Sequence, residues 1–166
     1  MRDGTVDRVG ARAVIRLERE LPDAPGVVWR AITDRGELKA WFPCDVVVDA
    51  WRAGAVIEFV FTEHDMTLTG SVLEVDEPRL LVYTWGDDTL RFSLEPTPSG
   101  GTRLVLTDEL GSSEAARNAA GWEICLERLA GRSPAEGAWR PLFDHYVAVF
   151  ESGLGPQLGP PPGFEG

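Results

Sequence analysis

The sequence predicts an α+β domain in which a curved antiparallel sheet of about seven strands surrounds one long C-terminal helix, with two short helices after the first strand. Three observations carry that reading. Strand-like runs follow one another from Cys44 to Leu110 with only short turn segments between them. A clean amphipathic helical stretch comes after the last run, and two short helical groups separate the opening strand from the rest.

The opening strand is Ala13 to Glu20, where Ala13, Ile15, Leu17 and Arg19 alternate with Val14, Arg16, Glu18 and Glu20 at a two-residue period, and Pro22 ends it. In DAPGVVWRAITDRGELKAWF, Val28, Ala31 and Ile32, then Leu38, Trp41 and Phe42, recur at three- and four-residue spacing. This predicts two short helices with a break near Gly36. The strand runs that follow are VVV, VIEFVF, TLTGSVLEV, LLVYTW, TLRFSLE and TRLVLT, separated by AWRAG, TEHD, DEP, GDD and PTPSGG. Those separators are rich in turn-forming residues and too short for crossover helices, so the pairing is antiparallel.

From Glu114 to Gly131 a helix is predicted, with Asn118, Trp122, Cys125, Leu126 and Leu129 on one face. Ser112 or Ser113 is placed to cap its start, and Gly131 followed by Pro134 to stop it. Glu123 falls largely off the apolar face, so its replacement by alanine is expected to cost little. A second amphipathic helix is expected within 132–153, with Leu142, Phe143, Tyr146, Val147 and Phe150 on one side. That stripe must dock, either on its own domain or across a two-fold dimer, and a self-complementary dimer also explains a helix lying outside the main domain. The organisation read from the sequence is an N-terminal arm (1–12), the main domain (13–131), the extra helix (132–153) and a Pro/Gly-rich tail (154–166) expected to be disordered or extended.

With 166 residues, 43% hydrophobic and 26% charged, the chain has the size and balance of a single globular domain. Its net charge of -11 repels phosphate backbones and anionic lipid, which argues against nucleic acid and membrane partners. Cys44 and Cys125 stand far apart, without a CxxC pair, and are expected to be reduced thiols in a cytoplasm. The N-terminal residues carry charges where a signal peptide needs an apolar stretch, and no apolar run is long enough to span a bilayer.

Taken literally, the strand alternation puts Ile57, Phe59 and Phe61 on one face, with Leu90, Phe92 and Leu94, and Leu81, Tyr83 and Trp85, on the corresponding faces of their own strands. The sheet therefore has one strongly aromatic side. A single helix set against such a side leaves residual space, and that space is the expected binding cavity.

These segments resemble the helix-grip domains of the START-like (SRPBCC) superfamily, in the branch similar to the C-terminal domain of the activator of heat shock protein 90 ATPase. The carriers are the opening strand with APGVVWRAITDRGELKAWF, then GSVLEVDEPRLLVYTW, GGTRLVLTDEL and GWEICLERLAG, over about Ala13 to Ala130. The resemblance implies a β-α-α-β6-α core with a cavity that superfamily members use for lipids, polyketides, hormones and other hydrophobic molecules. Carried over by position, its lining falls on Trp41, Phe59, Phe61, Tyr83, Trp85, Phe92, Asn118, Trp122 and Cys125. The sequence has no counterpart of the activator's separate N-terminal chaperone-binding domain and adds the segment 135–166, which weakens a chaperone role.

Catalytic chemistry finds little support. His64 lies in a predicted turn and His145 in the extra helix, with no ligand spacing for a metal, and no cofactor motif is present. Glu63, His64 and Asp65 are neighbours in an exposed turn, which does not make a catalytic dyad. Cys125 reads as a small core hydrophobe, and GxSxG, GxxxxGK[ST] and GxGxxG are absent. The expected function is the binding of a small hydrophobic or amphipathic molecule. A cyclase- or dehydratase-like enzyme, or a module that engages a chaperone or another protein, are the alternatives.

Overall fold

The computed structural model describes residues 3–160. The strands are β1 (Thr5–Val9), β2 (Arg12–Leu21), β3 (Asp45–Val48), β4 (Val56–Phe61), β5 (Met66–Asp76), β6 (Leu80–Trp85), β7 (Asp88–Pro96) and β8 (Thr102–Gly111). The helices are α1 (Pro25–Thr33), α2 (Arg35–Leu38), α3 (Ala115–Leu129) and α4 (Trp139–Leu154). The eight strands form one antiparallel sheet in the order β1-β2-β8-β7-β6-β5-β4-β3, and the fold is of the helix-grip class. The strand beyond the expected seven is β1, within what the sequence suggested was an arm. Gly10, at φ +63°, closes a two-residue turn that sets Val9 opposite Arg12.

The described residues fall into two compact units, 18–108 and 3–17 with 109–160. In the first, Pro25 occupies the opening turn of α1, where its missing N–H costs nothing. The chain breaks at Asp34 rather than at Gly36. Asp34 ends α1 in extended conformation, and its Oδ1 accepts from the Glu37 amide at 3.0 Å to start α2. Arg35 then clamps Asp45 at the start of β3 with bonds of 3.0 and 2.7 Å.

The strand faces follow the sequence alternation. Ile57 and Phe59, and Leu90, Phe92 and Leu94, are buried, while Glu58, Arg91 and Glu95 are exposed. On β8, Thr102, Leu104, Leu106 and Asp108 alternate with half-buried residues. A register shift between Val72 and Glu74 turns Leu73 outward in a bulge of β5. Gly70 is required where it stands: a Cβ there would lie 2.0 Å from the Thr84 carbonyl oxygen and 2.9 Å from the Phe59 ring.

In the second unit α4 packs on α3 of the same chain, with Trp139, Phe143, Tyr146, Phe150 and Leu154 buried. Each such side chain contributes roughly 1.5–3 kcal/mol through burial. The stripe that suggested a dimer is thus covered within the chain, and the reason for invoking a second copy falls away. Glu123, read as outward, is 1% exposed. Its Oε1 accepts from the Tyr146 hydroxyl at 2.5 Å, and that hydroxyl in turn accepts from the Gly4 amide at 2.8 Å. Burial first, and Glu123 second, push the Tyr146 phenol well above its ordinary value.

Both ends of α3 are tied. Gly131, at φ +82°, closes the C-terminus with bonds from its own amide to Arg128 O and from the Arg132 amide to Glu127 O, the paired arrangement of a Schellman motif. At the N-terminus neither serine caps the helix. The Ala116 amide donates instead to Gln157 Oε1 at 2.9 Å, Gln157 Nε2 donates to Ser112 O, and the Leu158 amide donates to Ser113 O. The first part of the tail, expected to be disordered or extended, is therefore bound to the helix start; residues 161–166 lie outside the described residues.

Candidate functional site

Six of the nine expected lining residues belong to the unit 18–108, and the structure brings them together as one aromatic wall. Trp41 comes from the turn after α2, Phe59 and Phe61 from β4, Tyr83 and Trp85 from β6, and Phe92 from β7. Phe92, Tyr83 and Phe59 are near-parallel neighbours, with ring centroids 5.8 and 5.9 Å apart. Trp41 meets Phe92 edge-on at 6.2 Å, and Phe61 stacks on Trp85 at 6.4 Å. Trp41, Phe59, Tyr83 and Phe92 are fully buried, whereas Phe61 and Trp85 are half-buried, so the wall runs from the core toward solvent.

Two members were missed by sequence reasoning. Phe42 stacks on Phe59 at 6.2 Å and meets Trp85 at 6.0 Å. Trp51 lies 5.6 Å from Tyr83 and anchors its indole N–H on Thr33 O at 2.8 Å. The doublet Trp41-Phe42 was a usable signal for the first. Trp51 stood in a segment read only as a turn. It also lines an open groove of about 410 Å³ with Trp29, Arg30, Thr33, Val75 and Glu77.

The wall is almost without polarity. The Trp41 indole N–H is taken by Ala31 O at 2.9 Å. The Tyr83 hydroxyl makes no hydrogen bond to any described residue, although Tyr83 is 1% exposed. Burial drives its phenol well above the ordinary value, and the nearby Cys44 adds to the effect. Charged groups are sparse among the buried positions of this unit, where Arg19 on β2 and Asp108 on β8 are the examples. Sequence reading put Arg19 in the same alternating set as Ala13, Ile15 and Leu17, and passed over Asp108.

The other three expected residues stand on α3, in the other unit. Trp122 and Cys125 are buried, and burial pushes the Cys125 thiol up to about 12, with Arg128 partly opposing, so the thiolate is not available as a nucleophile near neutrality. Asn118 is half-buried and its side-chain N–H donates to Glu114 O at 2.9 Å, one turn back in its own helix. It was read as the polar group of the inward face; the buried polar group of α3 is Glu123. His64 is exposed in a short 3-10 turn, and His145 Nε2 lies 2.8 Å from Asp3 Oδ2. Among the described residues no three His, Cys, Asp or Glu side chains gather as a metal site, and no helix is long and apolar enough to cross a membrane.

Residues 24–132 match the family model described as activator of Hsp90 ATPase homolog 1-like protein. The chain belongs to this family. Among solved structures, the activator-like chain is similar to the conserved protein of unknown function EF2215 from Enterococcus faecalis, at 22% identity and a TM-score of 0.77, over 90% of this chain and 91% of that one. It is also similar to CalU16 from Micromonospora echinospora, at 19% identity and a TM-score of 0.72, over 91% and 98% of the two chains. DynU16, a protein of the dynemicin biosynthetic locus, shares 24% identity and a TM-score of 0.60 over 71% of this chain and 46% of its own. At these identities the likeness establishes the fold. Among curated proteins, none matches this sequence.

Proposed function

We propose that this activator-like protein binds a small hydrophobic or amphipathic molecule against the wall formed by Trp41, Phe59, Phe61, Tyr83, Trp85 and Phe92. The observation that carries the reading is the continuity of the wall, from the buried Phe92–Tyr83–Phe59 run to the half-buried Trp85–Phe61 pair. Rigid ring faces in series suit a flat apolar ligand and lose little side-chain entropy on binding. The setting of DynU16 in a biosynthetic locus is consistent with small-molecule chemistry in this fold. Native mass spectrometry of protein purified from its own host tests the proposal. A retained small molecule is expected, released by organic solvent and lost or weakened in a Phe61→Ala, Trp85→Ala variant, whose half-buried positions are emptied without burying a charge. Ligand-free protein that also fails to take up added apolar probes overturns it.

The enzymatic alternative would fall to Asp108, fully buried on β8 in series with Leu104 and Leu106. Turnover of the retained molecule by the wild type and not by Asp108→Asn would favour it.

A further inference from the structure

The open groove of about 410 Å³ lies beside α1, within the unit 18–108, and meets the aromatic wall at Trp51. Its volume is that of a small-molecule site. Trp29 lines it from α1, Trp51 from the segment between β3 and β4, Val75 from β5 and Glu77 from the turn that follows β5. The Trp51 ring is held in place, with its indole N–H on Thr33 O at 2.8 Å and the Tyr83 ring 5.6 Å away. It is half-buried, so part of it remains open to a ligand.

The charge of the groove selects the ligand. Two charged side chains border it, Arg30 and Glu77. Arg30 is matched by Glu37, whose Oε2 accepts from its Nε at 3.1 Å. Glu77 is exposed, and among the described residues its carboxylate has neither an ion pair nor a hydrogen bond. One carboxylate is thus left in excess, on a chain of net charge -11, and the local field favours cations. Two neutral donors that could have held an anion are already spent: the Trp51 N–H on Thr33 O, and the Thr33 hydroxyl on Trp29 O at 2.7 Å. Indole is the best of the aromatic faces for a cation, and a weakly hydrated ammonium gives up little on reaching it. We infer that the groove is a second ligand site, which takes a small organic cation with its ammonium head between Trp51 and Glu77 and its apolar body toward Val75. The inference does not rest on binding at the wall.

The test titrates three probes of nearly the same shape into the full-length 15N-labelled protein: choline, its uncharged isostere 3,3-dimethylbutan-1-ol, and the anion 3,3-dimethylbutanoate. The readouts are the Trp51 indole N–H resonance, identified by its loss in Trp51→Phe, and the amide of Gly26, which also lines the groove. Choline is expected to shift both saturably and to bind about three- to tenfold more tightly than the alcohol, with the anion weakest. Glu77→Gln should weaken choline about two- to fivefold and leave the alcohol unchanged, the size of one surface charge pair. An unmoved Trp51 resonance in the free variant certifies that the groove is intact. No saturable shift with choline overturns the site. Choline bound no better than the alcohol, or the anion bound best, overturns its selection for cations, the second result assigning the groove to Arg30. A choline preference that survives Glu77→Gln in full overturns the role of Glu77 and with it the proposed placement of the cation.

Discussion

The Tyr146 hydroxyl donates to a Glu123 carboxylate oxygen at 2.5 Å, with both side chains buried. A helical wheel places Glu123 outside the apolar face of α3, so the residue that looks dispensable is the one α4 is locked onto. Glu123→Ala would leave a buried phenol without its acceptor, at a cost of about 1–3 kcal/mol. Urea denaturation should show that loss. Trp122→Ala, which empties a large buried position, should cost about 3–5 kcal/mol. A wild-type midpoint for Glu123→Ala would mean that the carboxylate is hydrated in solution.

Gly70 and Gly121 should respond to alanine in opposite directions. At Gly70 the new methyl would meet the Thr84 carbonyl oxygen at 2.0 Å, a backbone atom that cannot move aside, so a destabilisation of about 3 kcal/mol or more is expected. At Gly121, inside α3, a methyl meets nothing within 4 Å, and the helix gains up to about 1 kcal/mol. Thermal melts of the two variants check both signs.

The docking of α4 on its own α3 predicts that the full chain is a monomer by light scattering. A chain ending at Ser133 should then lose stability and self-associate, because the α3 surface that held α4 is uncovered. A full-length dimer that becomes a well-behaved monomer on truncation would show instead that the helix is exchanged between copies.

Gln157→Ala removes the acceptor for the Ala116 amide and should cost about 1 kcal/mol, the usual value of a helix cap. Amide exchange at Ala116 should quicken in the same variant. Unchanged exchange would place that segment of the tail away from the helix in solution.

The Arg35 clamp holds the Asp45 carboxyl below its ordinary value of 3.8, chiefly through their hydrogen bonds, against a smaller opposing effect of burial. A carboxyl depressed in the folded state contributes stability that is complete above 3.8 and is lost as pH falls through the lower folded value. Asp45→Asn should therefore be slightly less stable than the wild type at neutral pH, with the gap closing in strong acid. The pair is near the surface, so the effect is small. A gap that widens on acidification contradicts the assignment.

Much of the fold was legible because half-buried elements write their period into the chain. Ile57 and Phe59, and Leu90, Phe92 and Leu94, repeat at two, and Phe143, Tyr146 and Phe150 repeat near the helical period. The strand Thr5–Val9 escaped because it is exposed along most of its length, so no residue had to be apolar. Glu123 escaped because a carboxylate is buried only when something distant donates to it, and Tyr146 is not its neighbour in the chain. The covering of the α4 stripe was not legible, since a stripe has the same period whichever copy of α3 covers it. The tail misled through composition: glycine and proline report on backbone freedom, while one glutamine made the anchoring bonds. At the candidate site, alternation identified the wall on β4, β6 and β7, but not the tryptophan of a turn that leans on it.

The unit that contains α3 is assembled from segments near opposite ends of the chain, with Gly4 fastened to Tyr146 at one end and Gln157 fastened to Ala116 at the other. On a ribosome its last tie cannot form until residue 157 has left the exit tunnel, whereas the hairpin pairings β3–β4, β4–β5, β5–β6 and β6–β7 involve only residues made earlier. A nascent chain stalled before that point would carry a paired aromatic sheet and an unfastened α3. Such chains are the ones expected to need a chaperone's protection, and a premature stop codon anywhere in α4 would leave them in that condition permanently.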